Sequence, residues 1–329
     1  MCDHTPADAA VGTAATTIAE LLADAPKNWG KWGSDDEVGA LNYLTSATVL
    51  AAAAEIRQGK VFTLQVRMGD PAGEPVFAGR TASQRFMVLD KSHYLSSKTP
   101  QIPGGQEYAD DYISFYLQGS TQYDALGHMW YDDQLWNGYD ALSTVGGLAK
   151  ASSLPIAERG IVGRGVLLDI ARFRGKARLD RGELFDHDDL LACAAAQGVE
   201  LRPRDIPIIR TGWLAYFYEA GPEEFYRDWS EPGMTYSPEL VAWFDEMEIP
   251  NFVTDTIANE ATFDPVSGVG VPLHAALLRN LGISFTEVAW LEELAADCAQ
   301  DGQYAFLYTA GPLKVVGSAG TPVNPVVIK

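Results

Sequence analysis

Residues 118–128 read QGSTQYDALGH, which sets Gln118, Gln122, Asp124 and His128 close together in a chain with only five histidines. Carboxylate, amide carbonyl and imidazole are all ligands for a divalent cation, and an imidazole near such a cation is also a general acid or base. If the chain stays extended from Tyr112 through Asp124, its side chains alternate in direction. Ile113, Phe115 and Leu117 then share an apolar face, and Gln118, Ser120, Gln122 and Asp124 share the opposite one. The turn-like Ala125–Leu126–Gly127 would swing His128 back toward the same place. Two readings are open for these residues. One is a cation site for hard or borderline ions such as Mn, Mg or Ca; the other is a polar strand face exposed to water.

His274 lies near the start of PLHAALLRNLG, where Leu277, Leu278 and Leu281 give a helix a buried face that His274 shares. A lone histidine on such a face is ordinarily a satisfied core residue, and gains meaning only if something pairs it with the first cluster. His93 falls in an irregular excursion, and His187 opens a helix among acids.

The elements that must position these groups follow from periodicity. GVLLDI, DIPIIRTG, IPNFVTDT and QYAFLYTA are short apolar runs bounded by turn residues, the pattern of buried strands. KVFTLQVRM and YISFYLQ are strand-like. Helical stretches lie at TTIAELLADA, SATVLAAAAEIRQG (Ser46 as N-cap, Gly59 as stop), DHDDLLACAAAQG, SPELVAWFDEM and LHAALLRNLG. The alternation predicts an α/β fold in one domain. Residues 1–27 read as an N-terminal extension, disordered or helical in part, and 68–110 as a long insertion serving as a lid or a subunit contact.

The chain has 329 residues, 47% of them hydrophobic, and 44 acidic against 24 basic residues give a net charge of -20. That charge excludes nucleic acid and anionic membranes as partners. Three cysteines far apart make neither a disulfide framework nor a thiolate cluster. No secretory signal and no membrane span are read, so a cytoplasmic protein is expected.

QGSTQYDALGH resembles, in register, the H-x-G-T-H-x-D-x-P-x-H signature of the cyclase family of metal-dependent hydrolases, which includes bacterial kynurenine formamidase and isatin hydrolase. Thr121, Asp124 and His128 are kept, Gln118 and Gln122 replace the two metal-binding histidines, Ser120 replaces glycine and Leu126 proline. NWGKWGSDDEVGALNYLT, GRGVLLDI, RTGW, the His274…Glu287 pair and GTPVNPVVI are similar to further family segments, so the resemblance runs from about Asn28 to the C-terminus. The paired glutamines look like a variant of the longer branch. The resemblance implies a three-layer β/β/α swivelling-type catalytic domain over 28–329 and assembly as a homodimer or homotetramer. It also implies hydrolysis of an amide, lactam or lactone by water activated on Mn or Zn, with no organic cofactor. In the carried-over scheme Asp124, Gln118, Gln122, His274 and Glu287 form the metal set and His128 is the acid/base.

An amide oxygen is a weaker donor than imidazole, so the two glutamines should lower zinc affinity and favour harder ions. Three outcomes follow: a retained metal and hydrolysis; a metal-free cyclase, lyase or isomerase using His128 and the Gln118 and Gln122 amides; or an inactive binding or structural homologue. The expected substrate is a small aromatic or cyclic metabolite, because Trp29, Trp32, Tyr116, Tyr123, Trp130 and Trp213 lie in or near the matching segments. Of these, Trp29, Tyr123 and Trp130, with both glutamines, are the expected substrate contacts.

Overall fold

A computed structural model describes residues 16–95 and 99–329. The expectation of disorder at the N-terminus falls on residues that, up to 15, lie outside the described set.

Nine strands form one mixed, curled sheet. In chain order they are β1 (Val61–Thr63), β2 (Gln122–Asp124), β3 (Ile161–Asp169), β4 (Ile206–Arg210), β5 (Asn251–Thr254), β6 (Ser284–Glu287), β7 (Ala305–Ala310), β8 (Gly320–Pro322) and β9 (Val326–Ile328). Their spatial order is β1-β9-β7-β3-β4-β5-β6-β2-β8. The central four, β3 to β6, run parallel, and the flanking pairs are antiparallel. Parallel strands are covered on both faces, which is why they read as continuous apolar runs instead of alternating ones. β4 and β5 are buried at every position.

The helices that matter here are α1 (Ser46–Ala53), α2 (Ser153–Arg159), α3 (His187–Gln197), α4 (Trp213–Ala220), α5 (Pro238–Glu246), α6 (His274–Leu281) and α7 (Glu292–Asp301). α3 begins with a capping box between Asp186 and Asp189 and ends at Gly198 in the left-handed region, as its sequence predicts. α5 starts at Pro238 behind the N-cap Ser237. α1 is capped by Thr45, not by Ser46, because Thr45 and Thr48 exchange capping-box bonds; it also stops at Ala53, short of Gly59. α6 is π-helical and buried at every position. π-helical turns are rare and recur at functional sites.

Two expectations about the strands fail. Residues 112–124 are not one extended segment. Asp110–Ser114 pairs with Gln84–Leu89 in a separate two-stranded ribbon, and its residues, Ile113 among them, are exposed. The chain then turns through 117–120 before entering β2. The turn is tight at Gly119, where a Cβ would stand 2.9 Å from the Tyr116 carbonyl oxygen. Ser120 Oγ and the Gln118 carbonyl are meanwhile drawn to Glu74 and Arg80 in the segment after β1. Gln122–Asp124 is nonetheless a strand, β2, as read, while the short β6, β8 and β9 were not legible as strands, since three or four residues carry too little periodicity.

Candidate metal centre

β2 and β6 are antiparallel neighbours, with Gln122 opposite Glu287 and Tyr123 opposite Thr286. Alternation on so short a strand puts Gln122 and Asp124 on one face and Tyr123 on the other. α6 delivers His274 to the first face. One ligand atom each from Asp124, His274 and Glu287 lie within 4.8 Å of one another, although 150 positions separate Asp124 from His274 in the chain. His274 Nε2 stands 3.4 Å from Glu287 Oε1 and 3.8 Å from Asp124 Oδ2. All three residues are buried, with Asp124 at 0% exposure.

Burying two carboxylates side by side is costly unless a cation compensates them. Burial and the adjacent Asp124 push the Glu287 carboxyl up to about 7, against the pull of His274. Burial opposes the charge on His274, but Glu260 and Glu287 outweigh it and push the imidazole up to about 10. Asp124 Oδ2, Glu287 Oε1 and Gln122 Oε1 are buried acceptors without a hydrogen-bond partner. The orphaned Asp124 and Glu287 oxygens beside His274 Nε2 fit a divalent cation.

Sequence reasoning missed Glu260. Its Oε1 lies 2.6 Å from His274 Nδ1 and accepts from His274 N at 2.8 Å, while Oε2 accepts from Leu273 N at 2.6 Å. One carboxylate thus holds both the start of α6 and the ring of its first residue. The contact at Nδ1 leaves Nε2 aimed at Asp124 and Glu287, the arrangement by which carboxylates orient metal-binding histidines. Close packing fixes Glu260 in turn: a Cβ on Gly233 would stand 2.3 Å from the Glu260 carbonyl carbon. Glu260 lies only 14 residues before His274, but in a chain with 44 acids no single carboxylate stands out. Glu260→Gln keeps the size and weakens the hold on Nδ1. It is expected to lower metal affinity about 10- to 100-fold without unfolding the protein, measured by titrating Mn²⁺ into chelated wild type and variant.

Gln122 comes together with the metal set but not as the family histidine would. Its Nε2 donates to Glu287 Oε2 at 2.5 Å and to Asp124 Oδ1 at 3.4 Å. The amide ties the two carboxylates together as a donor. Gln118 does not share their strand. It lies half-buried in the preceding turn, packed over Gly320, which is paired with Asp124 across β8, and makes no hydrogen bond to Asp124 or Glu287. Thr121, kept in the motif, fastens the ends of two strands: its hydroxyl donates to Val288 O at 2.7 Å and accepts from Val66 N at 2.8 Å. Val288, directly after Glu287, is a β-branched residue at φ 56°. Such a backbone costs about 1–3 kcal/mol and persists where its surroundings enforce it; here Thr121 and the Val288 N–H to Thr256 O bond do so.

His128 is half-buried in the turn after β2, its N–H bonded to Ala125 O. Burial, with the charges of His274 and Arg80, outweighs the pull of Asp124 and holds the imidazole below its ordinary 6.5. At neutral pH it is a free base beside the carboxylate cluster.

Of the aromatic expectations, the one for Tyr123 needs correction. Tyr123 is wholly buried in the core on the far face of β2, so strand alternation itself removes it from the site. Trp29 packs its ring 4.7 Å from the Arg279 guanidinium and donates Nε1–H to Arg279 O at 3.0 Å, covering α6 from outside. Trp130 is 43% exposed and takes no part in the cluster. Trp213 does line a small cavity, with Phe77, Phe225, Tyr226, Trp229 and Glu231. Both Glu231 oxygens accept backbone N–H groups, from Ile257 and Ala258 at 2.9 Å each. Burial pushes Glu231 up to about 8 despite those donors, and the charge of Glu287 adds to the rise. The cavity therefore lies within electrostatic reach of the cluster.

Residues 89–261 match the family model described as a putative cyclase. A solved structure described as a novel cyclase is 37% identical, with a TM-score of 0.83, over 92% of this chain and 100% of its own. The chain belongs to the cyclase family. Isatin hydrolase A from Labrenzia aggregata, solved with benzyl benzoate, is 18% identical with a TM-score of 0.57, over 86% of this chain and 98% of its own. The enzyme of that name from Ralstonia solanacearum gives the same identity and TM-score over 86% and 97%. At that identity the likeness is one of fold. No curated protein matches this cyclase-family chain. Among the described residues no helix is long and apolar enough to cross a membrane.

Proposed function

We propose that this cyclase-family chain is a metal-dependent hydrolase, or the corresponding cyclase, acting on an amide, lactam or lactone bond of a small aromatic or cyclic compound. The observation that carries the reading is the convergence of Asp124, His274 and Glu287 with unpartnered oxygens facing one point. Those three residues would hold the cation, with Gln122 bracing both carboxylates and Glu260 orienting His274. A divalent cation bound there supplies Lewis acidity toward the scissile carbonyl and lowers the pKa of a water. His128, neutral at working pH, accepts the proton as the new C–O bond forms and returns it to the leaving nitrogen or oxygen. Burial of the cluster keeps bulk water away and strengthens each electrostatic interaction in it. A homodimer or homotetramer is part of the same proposal, supported by the exposed Phe86, Met87, Val88 and Tyr112 of the outlying ribbon.

Elemental analysis of protein purified without added metal, with hydrolysis of an aryl lactone and aryl amide panel assayed before and after chelation, tests the reading. Stoichiometric Mn or Zn, with turnover that chelation removes and the metal restores, is expected. Protein that takes up neither ion on soaking would overturn it.

A further inference from the structure

The segment after β1 is fastened to the motif turn by two charged side chains. Glu74 is 5% exposed. Its Oε1 accepts from Ser120 Oγ at 2.9 Å, and its Oε2 accepts from Gly69 N and Ser83 N at 3.0 Å each, and from the Ser83 hydroxyl. Ser120 is the residue that stands where the family signature has glycine, so its hydroxyl is what makes this anchor possible. Beside it, Arg80 Nη1 donates to the Gln118 carbonyl at 2.7 Å, and the Arg80 guanidinium lies 5.1 Å from the centroid of the Phe77 ring. Phe77 also forms part of the aromatic cavity and packs 5.6 Å from Trp229.

Arg80 is therefore held by one aromatic ring and one backbone carbonyl, at the place where the aromatic wall meets the motif turn. It is half-buried, and among the described residues one hydrogen bond is recorded for its five donor N–H groups. No carboxylate lies within ion-pair distance of it among the described residues, although acids outnumber bases in the chain. Its charge acts on both His128 and Glu287. A guanidinium pre-set by stacking and by one backbone bond, with its other donors uncommitted, is suited to bidentate recognition of a planar anion.

We propose that Arg80 is a specificity-determining residue that receives a carboxylate of the substrate at the rim of the metal centre, so that the preferred substrates are aryl compounds carrying an anionic group. The assignment deepens the hydrolase reading and rests on it for the word substrate; the binding itself does not.

The test titrates benzoate and its neutral isostere benzamide into full-length wild type, Arg80→Gln and Arg80→Lys by calorimetry. Each protein is used both loaded with Mn²⁺ and treated with chelator. Benzoate is expected to bind wild type in both states, about tenfold or more weaker to Arg80→Gln, and in between to Arg80→Lys. Benzamide should not distinguish the three. Equal weakening of both probes would mean that Arg80 only shapes the turn, and would overturn the assignment. So would benzoate binding indifferent to the substitution, or wild type that binds no benzoate. Melting temperatures identify a misfolded variant, in which case Arg80→Lys carries the comparison alone. Protein that takes up no Mn²⁺ yet shows the benzoate pattern would sink the metal reading and leave Arg80 standing; Mn²⁺ uptake without the pattern would do the reverse.

Discussion

Asp124→Asn is expected to abolish stoichiometric Mn²⁺ or Zn²⁺ uptake, weakening affinity by at least about a hundredfold, the upper range for loss of a supporting partner, and to remove metal-dependent turnover with it. The substitution keeps the shape of a residue with 0% exposure, so the fold should survive. It removes one of two negative ligands and one of the oxygens that lack any other partner. The stability readout separates a ligand from a structural residue. In the metal-free protein, Asp124 raises the Glu287 carboxyl to about 7 together with burial, so the two carboxylates repel. Removing one charge should leave the chelated variant as stable as chelated wild type or more so. With metal at a hundred times its dissociation constant, wild type gains about 2.7 kcal/mol by mass action and the variant gains almost none. Melting curves of both proteins, with and without Mn²⁺, should therefore converge or cross. A variant equally destabilised in both conditions would contradict the ligand role.

His128→Ala is expected to lower kcat by about 10²- to 10⁴-fold, the usual contribution of a positioned general base, with metal content unchanged. The pH dependence carries the sign. A base works only when unprotonated, and burial with the charges of His274 and Arg80 holds His128 below 6.5. Wild-type kcat/KM should therefore be on its plateau at neutral pH and fall as pH drops through the depressed pKa. The variant should lack that acid limb. Loss of metal from His128→Ala, or an acid limb that persists in it, would place His128 outside the proton transfer. Losses in both single variants but no additivity in the double would be expected, since base and metal act in one step.

Both predictions turn on residues of one eleven-residue stretch, and its legibility was uneven. The apolar runs that became β3, β4 and β5 were visible because central parallel strands must be apolar on both faces, and the run that became β7 because it is a six-residue apolar stretch bounded by turn residues. The helix bearing His274 was visible because its buried leucines recur at helical spacing. Asp124 and His128 were marked by residue type and by their place in a family signature. The assumption of one long strand from Tyr112 to Asp124 misplaced Gln118 and Ser120. Nothing local forbade it; the turn forms because Glu74 and Arg80, some forty residues earlier in the chain, take up the groups that extension would have left pointing outward.

The sequence by itself determined the α/β class, the family, and the chemical types available to the site. It also determined that two imidazoles had given way to amides. Only the tertiary structure decided what the survivors do. Antiparallel pairing of β2 with β6 sets Gln122 against Glu287, which turns one glutamine into a donor bridging two carboxylates. The turn before β2 leaves the other on the rim. Glu260, invisible among so many acids, becomes the residue that aims His274. The physical reason is that a ligand set is a matter of a few ångströms, here between β2 and elements about 150 residues later in the chain. Side-chain types and spacing fix what a group is able to bind, while register and burial fix which groups meet.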